Sequence, residues 1–513
     1  MRNYINIGYA FVFAGLILLI ATLNINSYRL TEDILNEAIS DSAKAEAITE
    51  PVSGMLNKTY NSKFTFLKDY HKAVTIANDS LQNNDLDVID NGALPVMLSS
   101  SIIGPLTDHS SAFLISILLL FTIGTILITV GQYFFKSPGI KNDHIFQKPF
   151  TSVGWSAIIF CVALMAFYII LYWYPFLLAD WIKLSDPLSK SLNGGGADEN
   201  FLYGEIYSIA VLLLGFKMFF KYRHSRYQQI RTISVTFFQL SFAFIIPEIL
   251  KFLKHPSLDL KNIWPLDYAF FWDSNISELV QNGKIGIFML VWGIILLIIA
   301  VPLFTYFFGK RWYCSWVCGC GGLAETAGDP FRQLSSKKII AWKIERVLIY
   351  SILLIITVIT ALSLINYFQN NKLLGSATAP LQEWYGFIIG SVFAGVIGTG
   401  FYPVMGNRVW CRFGCPLAAI FGIIQRYQSR FRITTNGGQC ISCGNCSTYC
   451  EMGIDVRSYA QKGQNIVRAS CVGCGICAEV CPRGVLKLEN GPTKGRIDND
   501  PILIGNDSIN VRL

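Results

Sequence analysis

Cys440-Ile-Ser-Cys443-Gly-Asn-Cys446-Ser-Thr-Tyr-Cys450 and, about twenty residues on, Cys471-Val-Gly-Cys474-Gly-Ile-Cys477-Ala-Glu-Val-Cys481-Pro482 decide how this chain is read. Each run has the spacing of one half of a bacterial-type two-cluster [4Fe–4S] domain. Three thiolates two residues apart wrap a short loop around three corners of a cubane. The fourth corner must be reached from elsewhere, and in two-cluster domains the fourth cysteine of each run serves the other cluster. The spacing therefore assigns Cys440, Cys443, Cys446 and Cys481 to one cluster and Cys471, Cys474, Cys477 and Cys450 to a second. A zinc site would need four sulfurs but not the repeated pattern. A disulfide framework is disfavoured in a reducing compartment. The first run departs in one place: Glu451 stands where Pro482 closes the second run.

Outside this stretch the chain is apolar. Of 513 residues, 52% are hydrophobic and only 15% charged, against roughly 25% charged in a soluble domain. Mean hydropathy is +0.43. These values point to an integral membrane protein. The five histidines, His71, His109, His144, His224 and His255, all lie outside the interiors of the apolar runs, and no Cys-x2-Cys-His occurs. Haem of either the b or the c type is therefore not expected. Cys161, alone in an apolar run, reads as core packing.

Eight apolar runs, near 8–25, 112–135, 152–175, 204–220, 233–250, 285–308, 347–366 and 384–405, are long enough or nearly so to cross a bilayer. The first lacks a small-x-small cleavage site and reads as an anchor. The loops 136–150, 221–231 and 309–346 hold fourteen lysines and arginines, while 176–203, 251–284 and 367–383 hold seven. The basic loops are expected to face the cytoplasm, with both termini and the cysteine-rich stretch on that side of a bacterial-type inner membrane. The expected order is an anchor helix over 1–25, an extracytoplasmic domain over 26–111 and membrane helices over 112–308. A repeat region with two further helices follows over 309–434, then a dicluster domain over 435–490 and a tail over 491–513. The fold class is an α-helical polytopic membrane protein of about eight spans with a small α+β dicluster ferredoxin domain.

Two span ends repeat one pattern. Gly309-Lys-Arg311-Trp-Tyr-Cys314-Ser-Trp-Val-Cys318 matches Gly406-Asn-Arg408-Val-Trp-Cys411-Arg-Phe-Gly-Cys415. Thiols at i and i+4 share a face if the segment is one helix. Two such pairs, Cys314, Cys318, Cys411 and Cys415, could supply four thiolates to a third metal or iron–sulfur site. Duplicated segments often build such sites at their interface. Small sulfur residues packing where helices meet are the bland alternative. Arg311 and Arg408 could offset thiolate charge or bind headgroups, and Cys320 is a spare ligand or a bystander. Glu248, Glu325 and Asp329 are the carboxylates weighed as proton acceptors for a quinol.

A helix pair ending in Cys-x3-Cys, followed by two ferredoxin motifs, resembles the NapH/NosR/CcoG group of membrane polyferredoxins over roughly 233–490. The resemblance implies the eight ferredoxin cysteines as cluster ligands and Cys314, Cys318, Cys411 and Cys415 as membrane-side thiols. The first pair lacks the proline that follows Cys415, the stretch 26–111 shows no flavin-attachment threonine motif, and little chain follows the clusters. The expected function is electron transfer between a membrane quinone or quinol and a partner redox protein, an oxidoreductase component. A copper reductase or respiratory-enzyme assembly factor is one alternative, since soft thiolates suit Cu(I). A redox-sensing scaffold is the other. The bilayer is an expected partner and nucleic acid is not.

Overall fold

The computed structural model describes residues 2–39, 42–83, 89, 94–135, 153–369 and 377–490, with the pairs 504–505 and 508–509. The basic loop 136–150 and most of the tail 491–513 lie outside the described residues. Seven helices among the described residues are long and apolar enough to cross a membrane. They are α1 (Arg2–Ala21), α2 (Pro105–Phe134), α3 (Trp155–Trp173), α4 (Glu199–Lys221), α5 (Arg226–Phe252), α6 (Gly283–Phe308) and α7 (Ile339–Phe368). α2 starts earlier than the apolar run at 112 because Pro105 takes the first helical position, where its missing N–H costs nothing.

The eighth expected run, 384–405, is not among the seven. It is wound as a helix over Thr378–Tyr385, a π stretch over Gly386–Ile397 and two short turns, Gly398–Gly400 and Tyr402–Met405. Five glycines dilute its apolarity and loosen its winding. It nevertheless runs back along α7. Gln382 Nε2 donates to Ser363 Oγ at 3.0 Å, and Arg412 Nε donates to Glu345 Oε2 at 2.8 Å. Eighteen residues of α7 separate those two anchors, roughly 27 Å of helix, close to the thickness of a hydrocarbon core.

The chain divides into two compact units. The first is Met1–Phe135, Phe167–Ile209 and Glu248–Lys254. Here β1 (Ser27–Arg29) pairs antiparallel with both β2 (Thr59–Tyr60) and β3 (Ile102–Ile103). The helices Ser42–Val52, Lys63–Asn83 and Leu94–Ser100 close over a core that includes Tyr28, Leu30, Phe66 and Leu98. Strands of two or three residues are too short to leave an alternating pattern in the sequence. Asp180 anchors this core, pairing with Lys63 at 2.5 Å and accepting from Tyr28 and Asn26 at 2.9 Å.

The second unit is Lys136–Ala166, Ala210–Pro247 and His255–Leu513. α8 (Pro416–Tyr427) leads into β4 (Phe431–Thr435), which pairs antiparallel with β5 (Leu486–Asn490) in the register Ile433↔Leu488. The cysteine runs lie between these strands. One core joins Tyr313, Phe421, Phe431, Val472 and Ile476, so the cysteine-rich stretch is packed into the unit and not tethered to it.

In the first unit, α1 and α2 cross where a Cβ on Gly8 would lie 2.9 Å from the Gly124 carbonyl, and one on Gly124 would lie 2.7 Å from Val12. Small residues allow this approach between membrane helices. Gly124→Leu should destabilise the protein by about 1–3 kcal/mol through overpacking, read as a lowered thermal midpoint of the detergent-solubilised protein. Gly54→Ala, where a Cβ meets nothing within 4 Å, should leave the midpoint unchanged.

Candidate metal centres

The two cysteine runs adopt the same backbone. Ser442 and Gly473, just before the second cysteine of each run, have φ of 58° and 64°; Gly444 and Gly475, just after it, have 81° and 80°. Left-handed residues on both sides of one cysteine curl each loop around its thiols. One-turn helices follow, Asn445–Thr448 and Ile476–Glu479, and carry Cys446 and Cys477.

The thiols gather in two cavities. Cys440, Cys443, Cys446 and Cys481 line the first. Cys450, Cys471, Cys474 and Cys477 line the second. Each cavity thus takes three thiols from one run and the last from the other. Burial pushes the thiol of Cys446 up to about 12 and that of Cys471 up to about 11, partly opposed by backbone N–H donors from Ser447 and Gly473. The Ile454 N–H points to Cys450 Sγ at 3.4 Å. Buried thiolates are therefore costly unless a cation offsets them. Among the described residues no three His, Cys, Asp or Glu side chains meet at single-ion spacing. The thiols ring cavities, a donor set that fits a cubane, and soft sulfur ligands suit iron–sulfur clusters.

The duplicated span ends are also conformational copies. Gly309 and Gly406, at φ of 65° and 93°, end the preceding helices. Short helices Arg311–Cys314 and Val409–Phe413 follow. The chain then turns so that the N–H of Cys318 donates to Tyr313 O at 2.8 Å and that of Cys415 to Trp410 O at 2.9 Å. Cys318 and Cys415 are N-caps of the next helices. The expectation of one helix face at i and i+4 is thus corrected: a turn separates each pair. Cys314, Cys318, Cys411 and Cys415 still line one small cavity, and Cys320 lines it with them. Burial pushes the Cys314 thiol up to about 12, while a hydrogen bond from Cys320 draws that of Cys318 below its ordinary value.

A buried charge network fills the space between the second and third cavities. Glu325 receives Arg231 at 2.5 Å, Arg408 at 2.6 Å and Arg332 at 2.8 Å. Glu451 receives Arg332 at 2.9 Å and Arg408 at 3.2 Å. Asp329 receives Arg332 at 3.3 Å, Lys221, and the Tyr222 hydroxyl at 3.0 Å. The network ends on sulfur: Arg408 Nη1 lies 3.7 Å from Cys411 Sγ, and Arg332 Nη1 lies 3.8 Å from Cys474 Sγ. Arg311, the repeat partner of Arg408, instead lies over the rings of Phe431 at 4.8 Å and Tyr227 at 5.8 Å.

This environment does not suit a proton acceptor at Glu325 or Asp329. Burial alone would raise the Glu325 carboxyl, but Arg231, Arg332 and Arg408 outweigh it and hold it well below the usual carboxylate range. Asp329 is likewise lowered, burial being outweighed by Lys221 and Arg332. Glu248, in the first unit, accepts from Asn193 at 2.6 Å and pairs with Lys251 at 2.9 Å. Sequence reasoning missed Arg231, Arg332 and Glu451 as parts of the site. Only Glu451 left a signal, as the residue in place of the closing proline.

The solvent exposure of the thiols is graded. Cys314, Cys318, Cys411 and Cys415 are all buried, the second cavity mixes buried and half-buried thiols, and Cys443 in the first is exposed.

A sequence family described as "4Fe-4S dicluster domain" matches residues 439–486. A second, described as "4Fe-4S binding domain", matches 289–339 and again 386–434, the two copies of the repeat. The chain is 25% identical over 159 residues to YccM of Escherichia coli (strain K12), whose name proposes an electron transport protein; the match covers 30% of this chain and 44% of YccM. It is 28% identical over 160 residues to MauN of Methylobacillus flagellatus, named a methylamine utilization ferredoxin-type protein, covering 30% of this chain and 52% of MauN. The chain thus spans about half the length of these curated relatives. No solved structure matches it. The matches are to iron–sulfur domains and to ferredoxin-type relatives, and seven helices among the described residues are long and apolar enough to cross a membrane, so the chain is similar to membrane ferredoxin-type proteins.

Glu325→Gln should destabilise the protein by about 3–5 kcal/mol, because three guanidinium groups lose their shared anion in a buried site. Exposed Glu278→Gln should change stability by less than about 0.5 kcal/mol. Denaturant unfolding of the two variants checks both. Since the folded-state value of Glu325 is depressed, its contribution is fully present above about pH 4.3 and is lost only as pH falls through the lowered value.

Proposed function

We propose that the chain carries electrons between the membrane quinone pool and a redox partner protein. Cys440, Cys443, Cys446 and Cys481 would hold one [4Fe–4S] cluster, and Cys450, Cys471, Cys474 and Cys477 a second. Cys314, Cys318, Cys411 and Cys415 would hold a third iron–sulfur or metal site, with Cys320 as a fifth thiol. These groups would supply one-electron chemistry. The observation that carries the reading is the linkage of Cys411 to Cys474 through Arg408, the carboxylates of Glu325 and Glu451, and Arg332. N–H donors on sulfur tune cluster potentials, and a rigid, dry network costs little reorganisation when charge arrives. The buried repeat thiols would receive electrons at the membrane, and exposed Cys443 would mark the side facing a partner. The excess of lysine and arginine in the basic loops supports a cytoplasmic position for these sites, at an inner membrane. The repeat lies inside the matches described as a 4Fe-4S binding domain, which favours iron over copper there.

Ligand exchange between the runs is testable. Cys450→Ser should damage the cluster held by Cys471, Cys474 and Cys477, and Cys481→Ser the one held by Cys440, Cys443 and Cys446. Electron paramagnetic resonance of the anaerobically reduced variants separates the two, and loss of each run's own cluster instead would refute the pairing.

The third site is tested by Cys314→Ala combined with Cys411→Ala. The two ferredoxin clusters should still assemble, iron per chain should fall, and quinol should no longer reduce the remaining clusters. Unchanged metal content with wild-type reduction kinetics would leave the repeat as packing alone.

A further inference from the structure

A cavity of about 660 Å³ opens in the second unit among the start of α7, α8 and the segment 452–470. That size is typical of small-molecule sites, and none of the proposed cluster ligands except Cys411 reaches its lining. Its charge is one-sided: eight lysines and arginines line it against two carboxylates, Glu345 and Asp455. Glu345 is already engaged, accepting from Arg412 and from the Ser470 hydroxyl.

Apart from Arg412, the lining cations have no ion pair among the described residues. Arg346 and Arg468 lie over the Trp342 ring, 5.1 Å and 5.0 Å from its centre, and neither has a carboxylate partner among the described residues. Exposed Lys338 and Lys462 flank the opening, also without an ion pair among the described residues. Lys310 is 1% exposed, yet its ammonium makes no ion pair or hydrogen bond among the described residues. Its charge reaches the thiols of Cys314 and Cys471, which leaves it at the cavity floor, beside the other sites. Converging unpaired cations in a partly closed space cost free energy until an anion enters. Guanidinium forks held over an indole keep N–H donors for bidentate oxyanion binding. The Trp342 ring and Ile349 add an apolar wall, so the site fits a phosphate with an organic group attached better than a bare ion.

We propose that this cavity binds the phosphate group of a phosphate-bearing ligand, either an anionic phospholipid headgroup or a soluble phosphomonoester. Both sources are chemically open to it. α7 begins at the cavity with exposed Ile339 and Ile340, 71% and 64% accessible, where a headgroup would sit, while Lys462 and Asp455 face it from the ferredoxin segment. The cavity meets the proposed electron-transfer sites at Cys411 and Lys310, and its reading as a phosphate site does not depend on the cluster assignments.

The test is calorimetric titration of the full-length, delipidated protein in neutral detergent. The probes are dihexanoyl-phosphatidylglycerol, AMP and inorganic phosphate. One of them should bind at one per chain, and Arg346→Gln with Arg468→Gln should weaken that binding at least tenfold while iron per chain stays at the wild-type level. Binding of phosphatidylglycerol alone identifies a lipid source; equal or tighter binding of AMP or inorganic phosphate identifies a soluble one. Should the arginine variant lose iron, Lys338→Gln with Lys462→Gln, both exposed at the rim, should still weaken the same probe several-fold. Failure of all three probes to bind wild type, or unaltered binding in the iron-replete variants, would overturn the proposal.

Discussion

Three arginine side chains, Arg231, Arg332 and Arg408, share Glu325, Glu451 and Asp329 in a space almost closed to water. Each ion moved alone into such a space costs several kcal/mol, so no member is tenable without the others. The members come from distant stretches of chain: α5, the segment after the first repeat copy, the second copy, and the ferredoxin stretch. Closing the network therefore fixes four segments at once. It also sets a fixed polar field between thiols of two cavities, which apolar packing of equal volume would not provide.

Glu451 shows how a local departure carries a long-range role. A proline after Cys450 would only have turned the chain. A carboxylate there reaches Arg332, Arg408 and the Asn407 amide, locking the ferredoxin stretch to the second repeat copy. Arg311 and Arg408 show the converse. Identical positions in a duplicated sequence have diverged, one onto aromatic faces and one into the buried network, so the repeat is symmetric in backbone and asymmetric in charge.

Much of this was legible beforehand because cysteine spacing and long apolar runs are strong local signals. Spacing alone suggests that the two runs exchange their last cysteines, and the thiols line two cavities in those groups, while seven of the apolar runs are long apolar helices. The rest depended on tertiary geometry. The turn between Cys314 and Cys318 has no spacing signature. The glycine-rich 384–405 run reads as an ordinary span, although its winding is broken into α and π pieces. Glu325 and Asp329 look like functional carboxylates until the arginines around them are known, and those arginines lie up to about ninety residues away in sequence.

The gradation of thiol exposure also bears on how the protein survives handling. Cys443 is open to solvent, while the repeat thiols are enclosed by Tyr313, Leu417 and their neighbours. Dissolved oxygen and chelators reach an open corner first. In the proposed reading, aerobic damage would then begin at the cavity that holds Cys443, and the enclosed thiols of the repeat would be reached last.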